Sequence, residues 1–240
     1  MTSGHGSRVS VLGDFRFKPE REPLLVLSGS SQRLLAFLAL HERPVGRNAV
    51  AGTLWPEASE VRAYSSLRSA LSRMHGSTRE AVVVSVMDLS LASDVSVDVR
   101  ESQALAHRLL DARTGALSTD LSRDSIDALS ADLLPNWFDD WVMVETEAWR
   151  QLRLHALEAL SGRLVDAGRL ADAAGAALAA VNAEPLRESS RAALIRVHLS
   201  EGNQSEALTE FERYRVLLHA ELGLEPTRRL GELLEGLRRR

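Results

Sequence analysis

The hydrophobic pattern changes period part-way along the chain. Val9 to Phe17 (VSVLGDFRF) and Leu24 to Leu27 (LLVL) carry the pattern of short strands, separated by a Lys-Pro-Glu-Arg-Glu-Pro turn. Ser30 and Ser31 are placed to cap a helix through Gln32 to His41, apolar nearly all round and therefore buried. Asn48 to Trp55 predicts a second short helix stopped by Pro56. After a polar link, Pro56 to Glu60, a third helix spans about Val61 to Met74 and ends at His75-Gly76, a glycine C-cap. Ala81 to Val86 and Leu89 to Ala92 read as strands around Met87-Asp88, and Val95 to Val99 alternates once more. Sheet, three helices and hairpin is the order of a winged helix-turn-helix that starts with a small antiparallel sheet.

Beyond residue 100 the strand pattern stops. Helices are predicted at about 101–112, 122–131, 138–167, 169–182, 187–201, 204–222 and 227–238. Gly168 and Gly202 lie one 34-residue period apart, as do Ala173 and Ala207, and Ala177 and Phe211, which is the tetratricopeptide spacing. In such a unit the glycine closes the first helix, the alanine lets two helices approach, and the residue four later packs between them. Pro185 falls at the motif's terminal proline. In the second unit His219 takes that place and Pro226 follows seven residues later, so its last helix is expected to be longer. The expected fold is mainly α with an α+β N-terminal part: a winged helix-turn-helix domain over residues 1–100, then an all-α tetratricopeptide-like repeat domain over 101–240 with a concave face.

The third helix carries the most specific chemistry. At about 100° per residue, Tyr64, Leu67, Ala70, Leu71 and Met74 cluster around Leu67. Arg62, Ser65, Ser66, Ser69, Ser72 and Arg73 fall opposite, with Arg68 at the flank. No carboxylate occurs from Val61 to Thr78, whereas a solvated helix usually mixes both signs. Forked donors and small hydroxyls without acids suit a duplex groove: Arg grips guanine O6/N7 or phosphate, and Ser lets the backbone approach. Arg47, beginning the second helix, and Arg79, entering the hairpin, are candidate phosphate contacts.

Composition narrows the alternatives. Of the 29 basic residues 28 are Arg, and Lys18 is not preceded by the glycines of a phosphate-binding loop, which excludes nucleotide hydrolysis of that type. There is no Cys, hence no disulfide, thiolate zinc site or thiol nucleophile. The formal net charge of −4 hides an asymmetry: residues 1–100 hold 12 Lys/Arg against 10 Asp/Glu, residues 101–240 hold 17 against 23. The longest pure apolar run, Leu34 to Leu40, is far short of the ~20 residues that span a bilayer, and no signal-like segment opens the chain, so a cytoplasmic, nucleoid-associated home and no membrane partner are expected.

Enzyme chemistry finds no support in these residues. His5, His41, His75, His107, His155, His198 and His219 lack metal-ligand spacing, and no GxSxG or GxGxxG occurs, so neither catalytic residues, metal nor cofactor are expected. Asp139, Asp140, Glu145 and Glu147 open a long helix, where the macrodipole favours negative charge. Trp137, Trp141 and Trp149 are expected on one packed face of that helix.

Several segments together resemble a known family. Val11-Leu12-Gly13-Asp14-Phe15, Ser31 to Ala36, Leu54-Trp55-Pro56-Glu57, Leu67 to Arg73 and Val97-Asp98-Val99 resemble the OmpR-type DNA-binding domain of the Streptomyces antibiotic regulatory protein family. Leu133-Leu134-Pro135 through Trp141, Arg153 to Glu158 and Glu221 to Pro226 resemble its bacterial transcriptional activation domain. The resemblance covers about residues 8–239, and motif order makes it specific. It implies an activator that binds tandem direct repeats in double-stranded DNA upstream of a promoter and contacts the RNA polymerase holoenzyme, usually at secondary-metabolite (antibiotic) gene clusters; because a lone domain with few arginines binds weakly, a homodimer on DNA is expected. By that resemblance Val61 to Met74 is the recognition helix, the hairpin near Met87-Asp88 the minor-groove wing, and the Pro56 to Glu60 link, with Glu57, a polymerase contact. Two departures stand out: Thr146 replaces an Arg of the family's Trp…Glu-Arg-Glu stretch, and the hairpin carries Asp88 in place of Gly-Tyr. The end at Arg238-Arg239-Arg240 resembles the small, stand-alone type.

One alternative stays open from the residues: a tetratricopeptide-like adaptor or ligand-sensing regulatory protein that does not bind DNA directly, with a peptide on the concave face of the repeats.

Overall fold

The computed structural model describes residues 6–111 and 117–235. His5, the expected helix limits at 112 and 238 and the Arg238-Arg239-Arg240 end lie outside the described residues. Two compact units divide the chain: Met1–Glu101 with Asp132–Ala148, and Ser102–Ala131 with Trp149–Arg240.

In the first unit the expected strand Val9–Phe17 is two strands, β1 (Arg8–Ser10) and β2 (Arg16–Lys18), paired antiparallel with Val9 opposite Phe17. The chain reverses between them through Gly13, at φ +80°. The expected strand Leu24–Leu27 provides one bridge, Leu25 to Phe17. Pro23 just before it has no N–H for a ladder, and Val26 is left exposed. Then follow α1 (Gly29–Leu40), β3 (Val45–Gly46), α2 (Arg47–Leu54), α3 (Glu60–Ser72), α4 (Ser77–Glu80), β4 (Val82–Val84), β5 (Asp88–Leu91), β6 (Ser96–Val97) and the start of α5 (Asp98–Leu110), which belongs to the second unit from Ser102 onward. The first sheet runs β2-β1-β6 with β6 parallel to β1, so it is mixed rather than purely antiparallel. The second runs β3-β5-β4, a hairpin extended by a strand that the sequence pattern had not marked.

Two local expectations are corrected. Ser28, not Ser30 or Ser31, caps α1: its backbone is extended and its hydroxyl accepts from the Ser31 amide at 3.4 Å, while Ser30 and Ser31 already lie in the first turn. Gly76 does not cap α3, which ends at Ser72; at φ +51° and ψ −136° it precedes the short α4 that the pattern missed. The apolar body of α1 is as expected, with Leu34 through Ala39 buried.

Residues 132–148 complete the first unit's core. Leu133 bridges Leu12, the Gly13 amide donates to the Asp132 carbonyl (2.7 Å), and the Leu134 amide donates to Val11 (3.0 Å). Trp137 lies 6.1 Å from Phe15 and Trp141 meets Phe37 edge-on at 5.4 Å between ring centroids. Asp139 forms an ion pair with Arg33. The C-terminus of α1 is closed by Arg100, which donates to the carbonyls of Leu38, Ala39 and His41.

The second unit is helical: α6 (Arg123–Ser130), then α7 (Asp140–Asp166) from Trp149 onward, α8 (Leu170–Ala183), α9 (Glu188–Ser200), α10 (Gln204–Leu222) and α11 (Arg228–Glu232). The 34-residue repeat is visible in its packing. Gly168 and Gly202 turn the chain at φ +72° and +78°, a region that strains residues with a Cβ. Ala173, Ala177 and Ala207 are fully buried and Phe211 is 8% exposed. At 19 residues against 14 in α8, α10 is the longer second helix.

The three tryptophans do not share one face. Trp137 precedes α7 and packs with Trp141 in the first unit, whereas Trp149 is buried in the second and donates its indole N–H to the Ala131 carbonyl at 2.9 Å. A spacing of four and eight suggests one stripe only if all three sit on one helix with one neighbour. Here the helix starts at Asp140 and passes from one unit to the other.

Candidate nucleic-acid interface

The polar face of α3 is held outward by the apolar residues beneath it. Ala63, Leu67, Ala70, Leu71 and Met74 are buried in the first unit, where α3 packs on α2 and α1. Arg62, Ser65, Arg68, Ser72 and Arg73 are exposed, Ser66 and Ser69 half-buried. Among the described residues no carboxylate pairs with Arg62, Arg68 or Arg73. Glu60 adds one carboxylate in the first turn, favoured by the helix dipole, but it projects within about 20° of Leu67 and off the Arg/Ser stripe.

The tertiary structure sorts the cations into two groups. On one flank Arg62, Ser65, Ser66, Ser69 and Arg73 join Ser30 of α1 and Trp55 at the end of α2 around an open cleft of ≈ 410 Å³. On the other, the guanidinium carbons of Arg47 and Arg68 lie 5.5 and 5.9 Å from the centre of the Tyr64 ring. Ser72 lies outside that cleft, and its hydroxyl donates to the Ser69 carbonyl (3.0 Å), which leaves it bound to its own helix. Ser30, Trp55 and Tyr64 were not among the predicted site residues. Tyr64 falls on the apolar side of the helical wheel, and nothing local places Arg47 beside it.

Arg47 also reaches the hairpin. Its amide donates to the Met87 carbonyl at 2.8 Å and its Nη1 to the Ser85 carbonyl at 3.3 Å. The turn itself is closed by Ser85, whose hydroxyl accepts from the amides of Met87 (3.2 Å) and Asp88 (2.8 Å). Val86 and Met87 are exposed at its tip. Arg79, on α4, donates to the Val82 carbonyl at 2.8 Å, so part of its donor capacity is used locally. Pro56 and Glu57, on the turn between α2 and α3, and Glu60, which opens α3, are all exposed, and an Ala58 amide to Trp55 carbonyl bond (3.1 Å) tightens the turn.

The arrangement can present a ridge of small hydroxyls to base edges with guanidinium groups on both sides. Among the described residues no group of His, Asp or Glu has the makings of a metal site, and no helix is long and apolar enough to cross a membrane.

Comparison with known proteins adds independent findings. A family described as the bacterial transcriptional activator domain matches residues 93–238. Regulatory protein AfsR of Streptomyces coelicolor is 31% identical over 236 residues, covering 94% of this chain and 24% of its own length. Regulatory protein AfsR of Streptomyces griseus is 31% identical over 250 residues, covering 97% and 24%. The chain thus spans about a quarter of the length of these curated relatives. Among solved structures, Mycobacterium tuberculosis EmbR in complex with a low-affinity phosphopeptide matches with a TM-score of 0.68 at 22% identity, over 97% of this chain and 65% of that one, a likeness of fold.

Proposed function

Because the chain belongs to the bacterial transcriptional activator domain family and is of the Streptomyces antibiotic regulatory protein type, we propose that it activates transcription by binding double-stranded DNA through α3. The observation that carries this reading is an acid-free, outward-facing stripe of Arg62, Ser65, Ser66, Arg68, Ser69, Ser72 and Arg73 on a helix whose other side is buried. In a major groove the serines approach base edges while the arginines take guanine or phosphate. Arg47 and Arg79 add contacts to the backbone.

In this reading residues 1–100 serve as the DNA-binding domain and 101–240 as the activation domain. Protomers bind tandem direct repeats upstream of promoters, and pairing as a homodimer on DNA raises the local concentration of a module whose few arginines bind weakly alone. Pro56, Glu57 and Glu60 form an exposed, mildly acidic corner for the RNA polymerase holoenzyme. The targets are promoters of a secondary-metabolite (antibiotic) gene cluster, which places the protein on the nucleoid in the cytoplasm.

The test is selection of duplex fragments from mixed genomic DNA by the full chain, at low and high salt, followed by sequencing. The full chain is required because residues 132–148 belong to the first unit's core. Enrichment of a repeated sequence is the expected result. No enrichment at any salt overturns the reading in favour of an adaptor that acts through protein contacts.

A further inference from the structure

We infer that Tyr64 is a positioning residue for duplex DNA: its ring holds Arg47 and Arg68, two cations from different helices, as one pair at the junction of α3 with the β4–β5 turn. The inference rests on the proposed DNA reading and deepens it by naming what aligns the contacts on that flank.

The geometry supports a specific role. Both guanidinium carbons lie within 6 Å of the Tyr64 centroid, at 5.5 and 5.9 Å, the range in which a ring quadrupole attracts a cation. Two guanidinium groups gathered at one ring carry like charge, and the attraction of each to the ring offsets their repulsion. Arg47 has little else to orient its side chain. Its Nη1 makes one long bond to Ser85, and its buried Nε finds no hydrogen-bond partner among the described residues. Among the described residues Arg68 forms no ion pair, and it is exposed. The main chain of Arg47 is fixed to the hairpin through the Met87 carbonyl, so the Arg47–Tyr64–Arg68 stack couples the orientation of α3 to that of the turn.

A cation pair fixed in this way is offered to the phosphates of the duplex with part of the ordering cost of two long side chains already met by the ring. Phosphate contacts position a protein without reading sequence. Loss of the ring therefore weakens binding about equally on all duplexes and lowers its salt dependence. Loss of the hydroxyl alone, for which the structure gives no hydrogen-bond partner in this stack, has little effect.

The experiment compares the wild-type full chain with Tyr64→Phe and Tyr64→Leu, using a duplex recovered by genomic selection and sheared genomic DNA of unrelated sequence. Tyr64→Leu is expected to lose roughly three- to tenfold affinity on both duplexes and to lower the slope of log K against log salt by about one to two, at ~0.9 per phosphate. Tyr64→Phe keeps both values. Nuclear magnetic resonance of the free protein is expected to show ring-current shifts of the Arg47 and Arg68 side-chain protons in the wild type and Tyr64→Phe, absent in Tyr64→Leu. Wild-type slopes in Tyr64→Leu, equal losses in Tyr64→Phe, or no ring-current shifts in the free wild type each overturn the inference. A wild type with the ring-current shifts that binds no duplex instead removes the DNA reading. Circular dichroism melting confirms that each variant is folded.

Discussion

Leu133 and Leu12 form an isolated antiparallel bridge that ties residues beyond the first hundred to the segment just after β1, the middle strand of the first sheet. Leu133 is 1% exposed, and the Leu134 amide and the Asp132 carbonyl continue the pairing on Val11 and Gly13. The first unit is therefore incomplete in any fragment that stops near residue 100. Leu133→Ala is expected to cost about 2–5 kcal/mol, as for other buried leucines, and a chain truncated after Glu101 is expected to unfold at markedly lower urea than the same unit in the full chain. Equal urea midpoints would show that the bridge is ornamental.

Arg62 and Arg73 line the same cleft beside Trp55 and Ser30, and both are exposed and without ion pairs among the described residues. Arg62→Ala or Arg73→Ala is expected to leave the thermal unfolding midpoint unchanged and nearly abolish retention of the selected duplex in a gel shift. A change in binding that follows a change in stability would mean that these side chains support the fold instead.

Asp98 opens α5 and accepts hydrogen bonds from the amides of Val11 (2.9 Å), Leu12 (3.2 Å) and Val99 (2.8 Å). Asp98→Ala is expected to destabilise the first unit by about 1–3 kcal/mol for each buried amide left without a partner. Burial holds the carboxyl above its ordinary 3.8, outweighing those amides and the nearby Arg8, which pull it down. The native state then keeps this proton to higher pH than the unfolded chain does, so the group's contribution to stability is greatest below 3.8 and is lost as pH rises through the folded value. The stability gap between wild type and Asp98→Asn is expected to narrow from acid toward neutral pH in urea titrations; a gap that widens refutes the assignment.

Glu158 should titrate with the opposite sign. Burial raises its pKa, but hydrogen bonds from Arg187, Ser189 and Ser190, at 2.7–2.8 Å, and the Arg187 charge outweigh burial and hold it below 4.5. Its contribution is present above 4.5 and lost as pH falls through the lowered value. Glu158→Gln is expected to destabilise the helical unit near neutral pH, with a deficit that shrinks on acidification, read from circular dichroism of the full chain. A pH-independent deficit would contradict it.

Much of the site was legible because the relevant signals are local. The outward stripe of α3 follows from residues three and four apart, and Ala63 joins the buried side as that periodicity allows. The repeat glycines and alanines reappear as left-handed turns and close helix contacts. What was missed involves partners distant in sequence or ends of elements. The cap at Ser28 depended on which serine kept an extended backbone. Trp137 and Trp149 parted because α7 leaves the first unit at Ala148 and enters the second at Trp149.

By itself the sequence determined the two faces of α3, the buried body of α1, the helical repeat and the absence of thiol and P-loop chemistry. Each follows from composition or from neighbours within a few turns of one another. Tertiary structure decided that residues 132–148 close the first unit's core, that Arg62 and Arg73 share a cleft with Trp55, and that Arg47 and Arg68 meet at Tyr64. Those are meetings of surfaces, set by which apolar faces find each other and where the intervening chain allows them to turn. A periodicity within one helix cannot specify what will stand opposite it.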